Sequence, residues 1–482
     1  MIDFRPIFFL IGILLATLAL GMSVPALADA LAGHSGWKVF AASAGVTFFV
    51  GITLILTNRI GRVNLSIRQA FLLTTLSWLV IACFAALPFA FADLNLSFTD
   101  AFFEAMSGIT TTGSTVITGL DDAPAGILLW RALLQWLGGI GIIVMAVAVL
   151  PMLQVGGMQL FRMESSDRSE KVLPRVAQIA TQIGIIYVVL SMICAGAYWL
   201  AGMSGFEAIA HAMTTIATGG FSTSDSSVGH FDSAAVDWIA VVFMLMGGMP
   251  FVLYLRMVHG SLGALLRDSQ VRWFVGIAAL SVALMVAWQT LSNGVGLGEA
   301  LRPVAFNVVS MLTGTGYTTT DFGLWGGFAI AVFFFVMFVG GCAGSTTCGL
   351  KVFRLQVLYA TTVAQIGKLM QPHGVFVPYY NRKPIPEAVG ESVKSFFFLY
   401  ASVFALLAMG LGALGLDFLT SVSGAAAAIA NVGPGLGPVI GPAGTFSSLP
   451  DMAKWLLSFG MLLGRLELFT VLVLLMPSFW RN

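Results

Sequence analysis

Charge is what this chain is short of. Of its 482 residues only 9% are Asp, Glu, Lys or Arg while 58% are hydrophobic, and the mean hydropathy of +0.93 lies far above that of a water-soluble domain. Water is therefore not its main solvent. Cysteine is scarce as well. Cys83, Cys194, Cys342 and Cys348 all sit in or beside apolar stretches, which argues against a disulfide framework. The five histidines are scattered, and no Cys/His spacing suits a metal site. No Gly-x-x-x-x-Gly-Lys-Ser/Thr run is present to cradle a nucleotide phosphate. These absences leave no basis for an enzyme, for an organic cofactor or for a nucleic-acid partner.

What the chain has in abundance is apolar runs of the length that crosses a bilayer, about 20 residues. Residues 6–22, 39–56, 69–91 and 127–153 show this in the first third alone. Basic residues report orientation, because Lys and Arg collect on the cytoplasmic side. With Met1 inside and spans alternating, all of the 23 Lys and Arg residues except Lys38, Arg131, Arg302, Lys454 and Arg465 fall on the inner side. The expected protein is thus multi-pass with a cytoplasmic N-terminus and an even number of spans. Residues 1–32 imitate a signal peptide, with Arg5 before an apolar run and Ala26-Leu27-Ala28 like a cleavage site. The alternation works best when this segment is kept as the first span.

Four short segments repeat at intervals of roughly 100 residues. They are Ile109-Thr110-Thr111-Thr112-Gly113-Ser114, Ile216-Ala217-Thr218-Gly219-Gly220, Thr313-Gly314-Thr315-Gly316-Tyr317 and Ala430-Asn431-Val432-Gly433-Pro434. We align them on Gly113, Gly219, Gly316 and Gly433. A half-length amphipathic stretch precedes each: 97–109, 205–216, 298–312 and 418–430. Such stretches are too short to span and read as re-entrant helices. A full span lies on either side. Irregular backbone at membrane depth is tolerated only where protein buries it or a water-filled cavity meets its polar groups. Four such segments around one axis can turn carbonyls inward and replace a cation's hydration shell. Glycine suits the position because aligned carbonyls need backbone angles that a Cβ disfavours, and each short helix points its partially negative C-terminus at the centre. A single Thr-Gly pair would read as an ordinary loop or helix cap. Four at even spacing, each after a short helix, do not.

These residues resemble the Trk/Ktr/HKT superfamily of potassium transporters, with the TrkH type nearest, across nearly the whole chain. The resemblance implies an all-α membrane protein: four pseudo-symmetric helix–pore-loop–helix repeats, potassium-channel-like, around one central pore, plus two N-terminal transmembrane helices. The divisions expected are 1–66 for the N-terminal pair, then 67–170, 171–268, 269–385 and 386–482 for the repeats. It implies potassium as the transported ion, because the family uses the common glycine to select potassium over sodium and all four aligned positions here are glycine. Backbone carbonyls of Thr111, Thr112, Ala217, Thr218, Gly314, Thr315, Asn431 and Val432, with the four glycines, are the candidate ligands. The fourth segment departs from the others: in this alignment three glycines follow a threonine, and Gly433 follows Val432 and precedes Pro434.

The run 339–349 within the third repeat, containing Gly340, Gly341, Ala343, Gly344, Ser345 and Thr346, breaks a helix and offers small polar groups to a cavity. Close packing through small residues is the plainer reading. The resemblance implies a gating loop below the filter. Arg465 sits deep in the last apolar run, where a cation costs about 2.5–3.5 kcal/mol on insertion scales, so it faces protein or water. An ion pair would explain it; the resemblance implies an arginine beneath the filter that repels cations. The acidic residues Asp93, Asp100, Glu104, Asp121, Asp122, Asp225, Asp232, Asp237 and Asp321 fall on the outer side, where a negative vestibule would concentrate cations. The resemblance further implies a bacterial inner-membrane location, a homodimer, and a TrkA-type cytosolic nucleotide-binding ring that docks on basic loops at 162–175, 256–272 and 351–394. The competing expectation is a symporter coupling potassium to protons or sodium through Glu104, Glu207, Asp417 and Glu467.

Overall fold

The computed structural model describes residues 3–61, 65–148, 172–261 and 263–481. Among these residues helices carry the architecture, and the sheet is one small hairpin pairing Tyr379–Tyr380 with Lys383–Pro384. Helices Arg5–Leu31 and Trp37–Thr57 form an N-terminal pair. They touch backbone to backbone where Gly12 meets Gly51: a Cβ on Gly12 would lie 2.7 Å from the Gly51 carbonyl oxygen. Small residues permit this approach where no hydrophobic force drives helices together. The pair is tied to the rest by Asp29. This buried side chain accepts a 2.6 Å bond from the Gly126 amide at the start of the helix Ala125–Ala148, close to that helix's positive N-terminus.

Four units follow, each built as long helix, short helix, irregular segment, second helix. In the first they are Ile67–Ala85 running on into Leu87–Phe91, then Phe98–Ile109 and Ala125–Ala148. In the second they are Val172–Leu200, Gly205–Ile216, and Ala234–Gly247 with Phe251–Val258. In the third they are Ser269–Ser292, Leu297–Leu312, and Gly327–Phe338 with Val352–Met370. In the fourth they are Glu387–Ala413, Phe418–Ala430, and Asp451–Arg465 with Phe469–Leu475.

The short helices lie where the sequence places them, and most open on the same device. Ser97 accepts from the Asp100 amide, Ser204 forms a capping box with Glu207, and Asp417 accepts from the Thr420 amide. Each cap satisfies a backbone donor that water would otherwise serve. Asp100 is further held by Lys454 at 2.5 Å. Burial pushes the Asp100 carboxyl up, but Lys454 and Ser97 more than offset this and leave it below the usual carboxylate value.

The sequence reading expects one interrupted second helix, in the third unit, and three are interrupted. The second unit bends by 93° between Gly247 and Phe251, the fourth by 108° between Arg465 and Phe469, and the third leaves the helix for residues 339–351. Gly247-Gly248 and Pro250 account for the first bend, since proline both lacks a donor and disfavours helix at the residue before it. Within the other break, residues 466–468, there is no glycine or proline, although Gly464 precedes it. Glu467 and Leu468 hold positive φ of 59° and 44°, a conformation other residues adopt only where surroundings impose it.

Candidate functional site

The four irregular segments meet in a ring. After each short helix one residue takes the left-handed conformation, Thr111, Thr218, Gly314 and Asn431, with φ of 52°, 51°, 70° and 53°. Each of these four donates its amide to the carbonyl three residues back, so they are equivalent positions. Two residues on stand Gly113, Gly220, Gly316 and Gly433. A Cβ on Gly113 would collide with the Gly219 carbonyl and one on Gly220 with the Thr315 carbonyl. On Gly316 it would lie 2.7 Å from the Gly433 nitrogen, and on Gly433 3.1 Å from the Gly113 carbonyl carbon. Each segment therefore touches the next and the last touches the first. The same four glycines, with Ser114, Asp225 and Thr318 among others, line a cavity of about 300 Å³.

This geometry corrects the sequence alignment of the second segment. Gly220 stands in register with the other three glycines, and Gly219 is in register with Thr112, Thr315 and Val432. The second candidate ligand set moves one residue along, from Ala217 and Thr218 to Thr218 and Gly219. Ala217 is the last turn of its helix, and its carbonyl accepts from the Thr218 hydroxyl. The aromatic that follows the glycine in Gly220-Phe221 and Gly316-Tyr317 was the available signal. The supposed contrast of three threonine segments against one also falls. Thr112 and Thr315 precede their glycines in units one and three, and Gly219 and Val432 in units two and four. Units one and three, opposite in the ring, are alike. Thr110 bonds Thr112 at 2.8 Å as Thr313 bonds Thr315 at 2.7 Å.

Among the described residues, the carbonyls of Thr111, Thr112, Gly113, Thr218, Gly314, Thr315, Gly316, Asn431 and Val432 accept no hydrogen bond from protein, although most of these residues are buried. Buried carbonyls are ordinarily paired. Gly219 differs, its carbonyl accepting 2.6 Å from the Gln135 amide, and Gly433 accepts 2.7 Å from the Ser114 hydroxyl.

A shell of long side chains holds the ring. Arg131 pairs with Glu104 at 2.8 Å, donates to the Ser222 carbonyl at 2.7 Å and lies 4.1 Å over the Phe221 ring. Glu104 in turn accepts from the Val116 amide at 2.9 Å and from the Thr115 hydroxyl. One buried ion pair thus joins the first and second segments. The Phe221 amide donates to Gln135 at 3.0 Å, and Asn431 donates to the Thr112 hydroxyl at 2.9 Å. The Tyr317 hydroxyl reaches back to Thr214 and, at 3.2 Å, to the His211 carbonyl.

Directly beneath lies the loop 339–351. Val339 and Leu350 form a parallel bridge at its neck. Gly340 donates to Leu350, Gly341 to the Thr347 hydroxyl, and Ala343 to the Gln270 side chain. The Gly344 carbonyl takes the Phe251 amide, and Ser345 donates to Cys342. Thr346 binds most widely. Its amide and hydroxyl face the Gly247 carbonyl at 3.2 and 3.0 Å, its hydroxyl also lies 3.1 Å from the Ile216 carbonyl, and it accepts from Thr218 at 3.0 Å. Its carbonyl accepts from Arg465 at 3.0 Å. Arg465, at 1% exposure, further donates to Cys348 at 3.0 Å and to the Gly138 carbonyl at 2.7 Å. It ends its helix rather than lying inside a span, and among the described residues none of its hydrogen-bond partners is a carboxylate.

The carboxylate two residues on, Glu467, pairs with Arg354 instead. Arg354 and Lys351 are buried, and Lys351 donates to the Thr347 carbonyl. Both therefore leave the inner-surface set to which their positions in sequence assign them. Arg256, Arg267, Arg272, Lys368, Arg382, Lys383 and Lys394 are exposed. The basic run at 162–171 lies outside the described residues. The basic residues expected on the outer side prove informative: Arg131, Arg302, Lys454 and Arg465 all have specific partners. Of the outer acids, Asp225 accepts from the Gly119 and Leu120 amides, and Asp232 and Asp237 hold Arg302.

Sequence reasoning passed over a second repeat, in the second helices. A Cβ on Gly138 would collide with the Ile109 carbonyl and one on Gly464 with that of Ile429, while one on Gly247 would lie 3.0 Å from that of Ile216. In three units the end of the short helix seats on such a glycine. The doublets Gly138-Gly139 and Gly247-Gly248 were the visible signal in the first and second units, and Gly464 stands alone in the fourth.

Comparison with known proteins agrees with this arrangement. The TrkH family, described as cation transport protein, matches residues 37–481. The Trk system potassium uptake protein TrkI of Halomonas elongata is 47% identical over 479 residues, covering 99% of this chain and 97% of the relative. The Trk system potassium uptake protein TrkH of Escherichia coli is 40% identical over 487 residues, covering 99% and 100%. The crystal structure of the potassium transporter TrkH from Vibrio parahaemolyticus superposes with a TM-score of 0.93 at 40% identity, covering 100% of both chains.

Proposed function

The chain belongs to the TrkH family of membrane cation transporters, and from that membership we propose that it takes up potassium through a selective filter formed by the ring. The observation that carries this reading is the set of buried carbonyls with no protein donor, arranged where four backbones meet. Such oxygens can replace a cation's hydration shell. An ion would enter from the cavity lined by Gly113, Gly220, Gly316 and Gly433, on the outer side, be held by the carbonyls of Thr111, Thr112, Thr218, Gly314, Thr315, Asn431 and Val432, and leave toward Thr346 and Arg465. The units divide the chain as 67–170, 171–268, 269–385 and 386–482, with residues 1–66 ahead of them. Loop 340–346 and Arg465 form the gate: the loop fills the space below the filter, and a buried guanidinium repels a cation there.

Passive passage is favoured over symport by the state of the carboxylates. Glu104 pairs with Arg131, Glu467 with Arg354, and Glu207 and Asp417 cap helices. None is left for a proton relay. The driving force is then the electrochemical gradient, with the membrane potential contributing about 2.3 kcal/mol per charge per 100 mV. The exposed basic residues from Arg256 to Lys394 supply a surface for a TrkA-type cytosolic nucleotide-binding ring that controls the gate. We place the N-terminus in the cytoplasm, the chain in a bacterial inner membrane, and two chains in a homodimer.

The test is ion flux in proteoliposomes. A reversal potential that follows the potassium gradient and ignores a proton gradient is expected, and one that shifts with the proton gradient would establish symport. Gly113→Ser should reduce potassium over sodium discrimination; unchanged discrimination would refute the filter assignment.

A further inference from the structure

Between the N-terminal helix and the first unit runs a crevice of about 570 Å³, walled by Leu14 and Leu18, by Leu73 and Ile81, and by Gly141 and Val144. We propose that this crevice binds one acyl chain of an anionic phospholipid, whose headgroup rests at Arg5 and Arg68.

Three observations point there. The hydroxyls on the walls are all turned back onto their own helices: Thr17 onto Ile13 at 3.0 Å, Thr74 onto Ala70 at 2.8 Å and Ser77 onto Thr74 at 3.0 Å. The surface left to a ligand is hydrocarbon, which neither water nor a polar ligand can satisfy. Second, the crevice opens outward from the bundle, with Ile13 and Leu14 exposed along it, so in a bilayer its mouth faces lipid. Third, one end is positive. Helices Arg5–Leu31 and Ile67–Ala85 both begin there with no acidic residue in the first turn, and the Gln69 side chain donates to the Asp3 carbonyl at 2.7 Å, which places the two starts side by side. Arg5 is exposed, Arg68 is half-buried, and neither joins an ion pair among the described residues. The two guanidinium groups, beside two helix N-termini whose first amides are served by Asp3 and by the Ser66–Gln69 capping box, favour a phosphate. At 1.5 Å per residue the first lining residues, Leu10 and Leu73, stand about 7.5 Å above those arginines. The crevice thus begins a short way along the helices from the two arginines, as an acyl chain begins below its phosphate.

The floor of the crevice includes Gly138 and Trp78. The Gly138 carbonyl accepts from Arg465, and Arg465 lies 5.6 Å from the Trp78 ring. An acyl chain in place braces the helix carrying Gly138 and so the contact that holds Arg465. Lipid binding stands on the crevice alone; its effect on transport rests on the role of Arg465 proposed above.

The experiment uses the full chain in phosphatidylcholine vesicles doped with phosphatidylglycerol bearing a diazirine in one acyl chain. After illumination, cross-links are expected to concentrate in residues 10–18, 73–81 and 137–145. Gly141→Leu fills the crevice where a Cβ meets only Trp78, at 3.9 Å, and should lower that labelling about tenfold. Arg5→Gln with Arg68→Gln should remove the preference for phosphatidylglycerol over the equivalent phosphatidylcholine probe. Labelling spread evenly over the lipid-facing helices, or unchanged in a Gly141→Leu protein that melts like wild type, would overturn the site. Rubidium uptake by Gly141→Leu should differ from wild type only in phosphatidylglycerol vesicles. If Arg465→Ala left transport untouched, the gate would fall while the labelling pattern stayed.

Discussion

The ring of glycines and the layer just beneath it are built from the same four units, yet one is nearly symmetric and the other is not. In the ring every unit supplies a left-handed residue, a second residue and a glycine, and each glycine meets its neighbour's backbone. One layer below, the first unit offers an unbroken helix, the second a bend at Gly247, the third a loop, and the fourth a bend at Arg465. A site that must surround a bare ion needs equivalent oxygens on all sides. A site that must obstruct and release needs only one or two movable parts, and the rest can serve as anchors. Thr346 shows this division: it belongs to the third unit and is held by carbonyls and a hydroxyl of the second and by the arginine of the fourth.

The comparison breaks first at the ion pair behind the ring. Arg131→Ala leaves Glu104 buried without its cation, which should cost about 3–5 kcal/mol. Detergent-solubilised protein should melt earlier and lose selective uptake, and a variant that melts with wild type would show the shell to be dispensable. Next comes register. Gly220→Ala meets backbone while Gly219→Ala meets the side-chain amide of Gln135, which can shift at the cost of its two hydrogen bonds, so potassium uptake should fall about 100-fold in the first and within about tenfold in the second. Equal losses would restore the original alignment.

Below the ring the sign reverses. Removing residues 340–344 should raise flux about tenfold in the absence of any partner, and Thr346→Val, which deletes hydroxyl bonds of about 1 kcal/mol each, should raise it a few-fold. Lowered flux in both, measured by rubidium uptake, would mark the loop as scaffold. The smallest effect is expected at the outer edge. The Asp100 carboxyl sits below its ordinary value of about 3.9, so its bond to Lys454 adds stability that is complete above that value. The contribution is lost as pH falls through the lower value of the folded state. Asp100→Asn should lower the neutral plateau of a melting profile slightly and leave its acid end in place, so that the acid limb flattens; an unmoved neutral plateau would show that the bond adds nothing.

Much of this was readable in the chain. The short helices announce themselves through half-length apolar runs and through caps at Ser97, Ser204 and Asp417, all local signals. The third unit's loop was visible as a glycine-rich run. Arg465 was visible because a cation in an apolar stretch is costly. The choice between Gly219 and Gly220 was not made correctly: only the aromatic that follows, Phe221 as Tyr317 follows Gly316, separated two adjacent glycines before the backbone gave Gly220 its positive φ. The bend after Arg465 is preceded only by the single Gly464, a weak signal in an apolar run, and the burial of Lys351 and Arg354 contradicts their place beside surface lysines.

Hydropathy and residue spacing by themselves determined the membrane class, the number of filter-like segments and the residues that had to be special. Partnership was decided by tertiary structure alone. Arg131 finds Glu104 across 27 residues, Arg354 finds Glu467 across 113, and Arg465 finds Gly138 across 327. A helix or a turn is encoded by neighbours a few positions apart. A buried charge is satisfied by whichever unit the fold brings against it, and that is a property of packing.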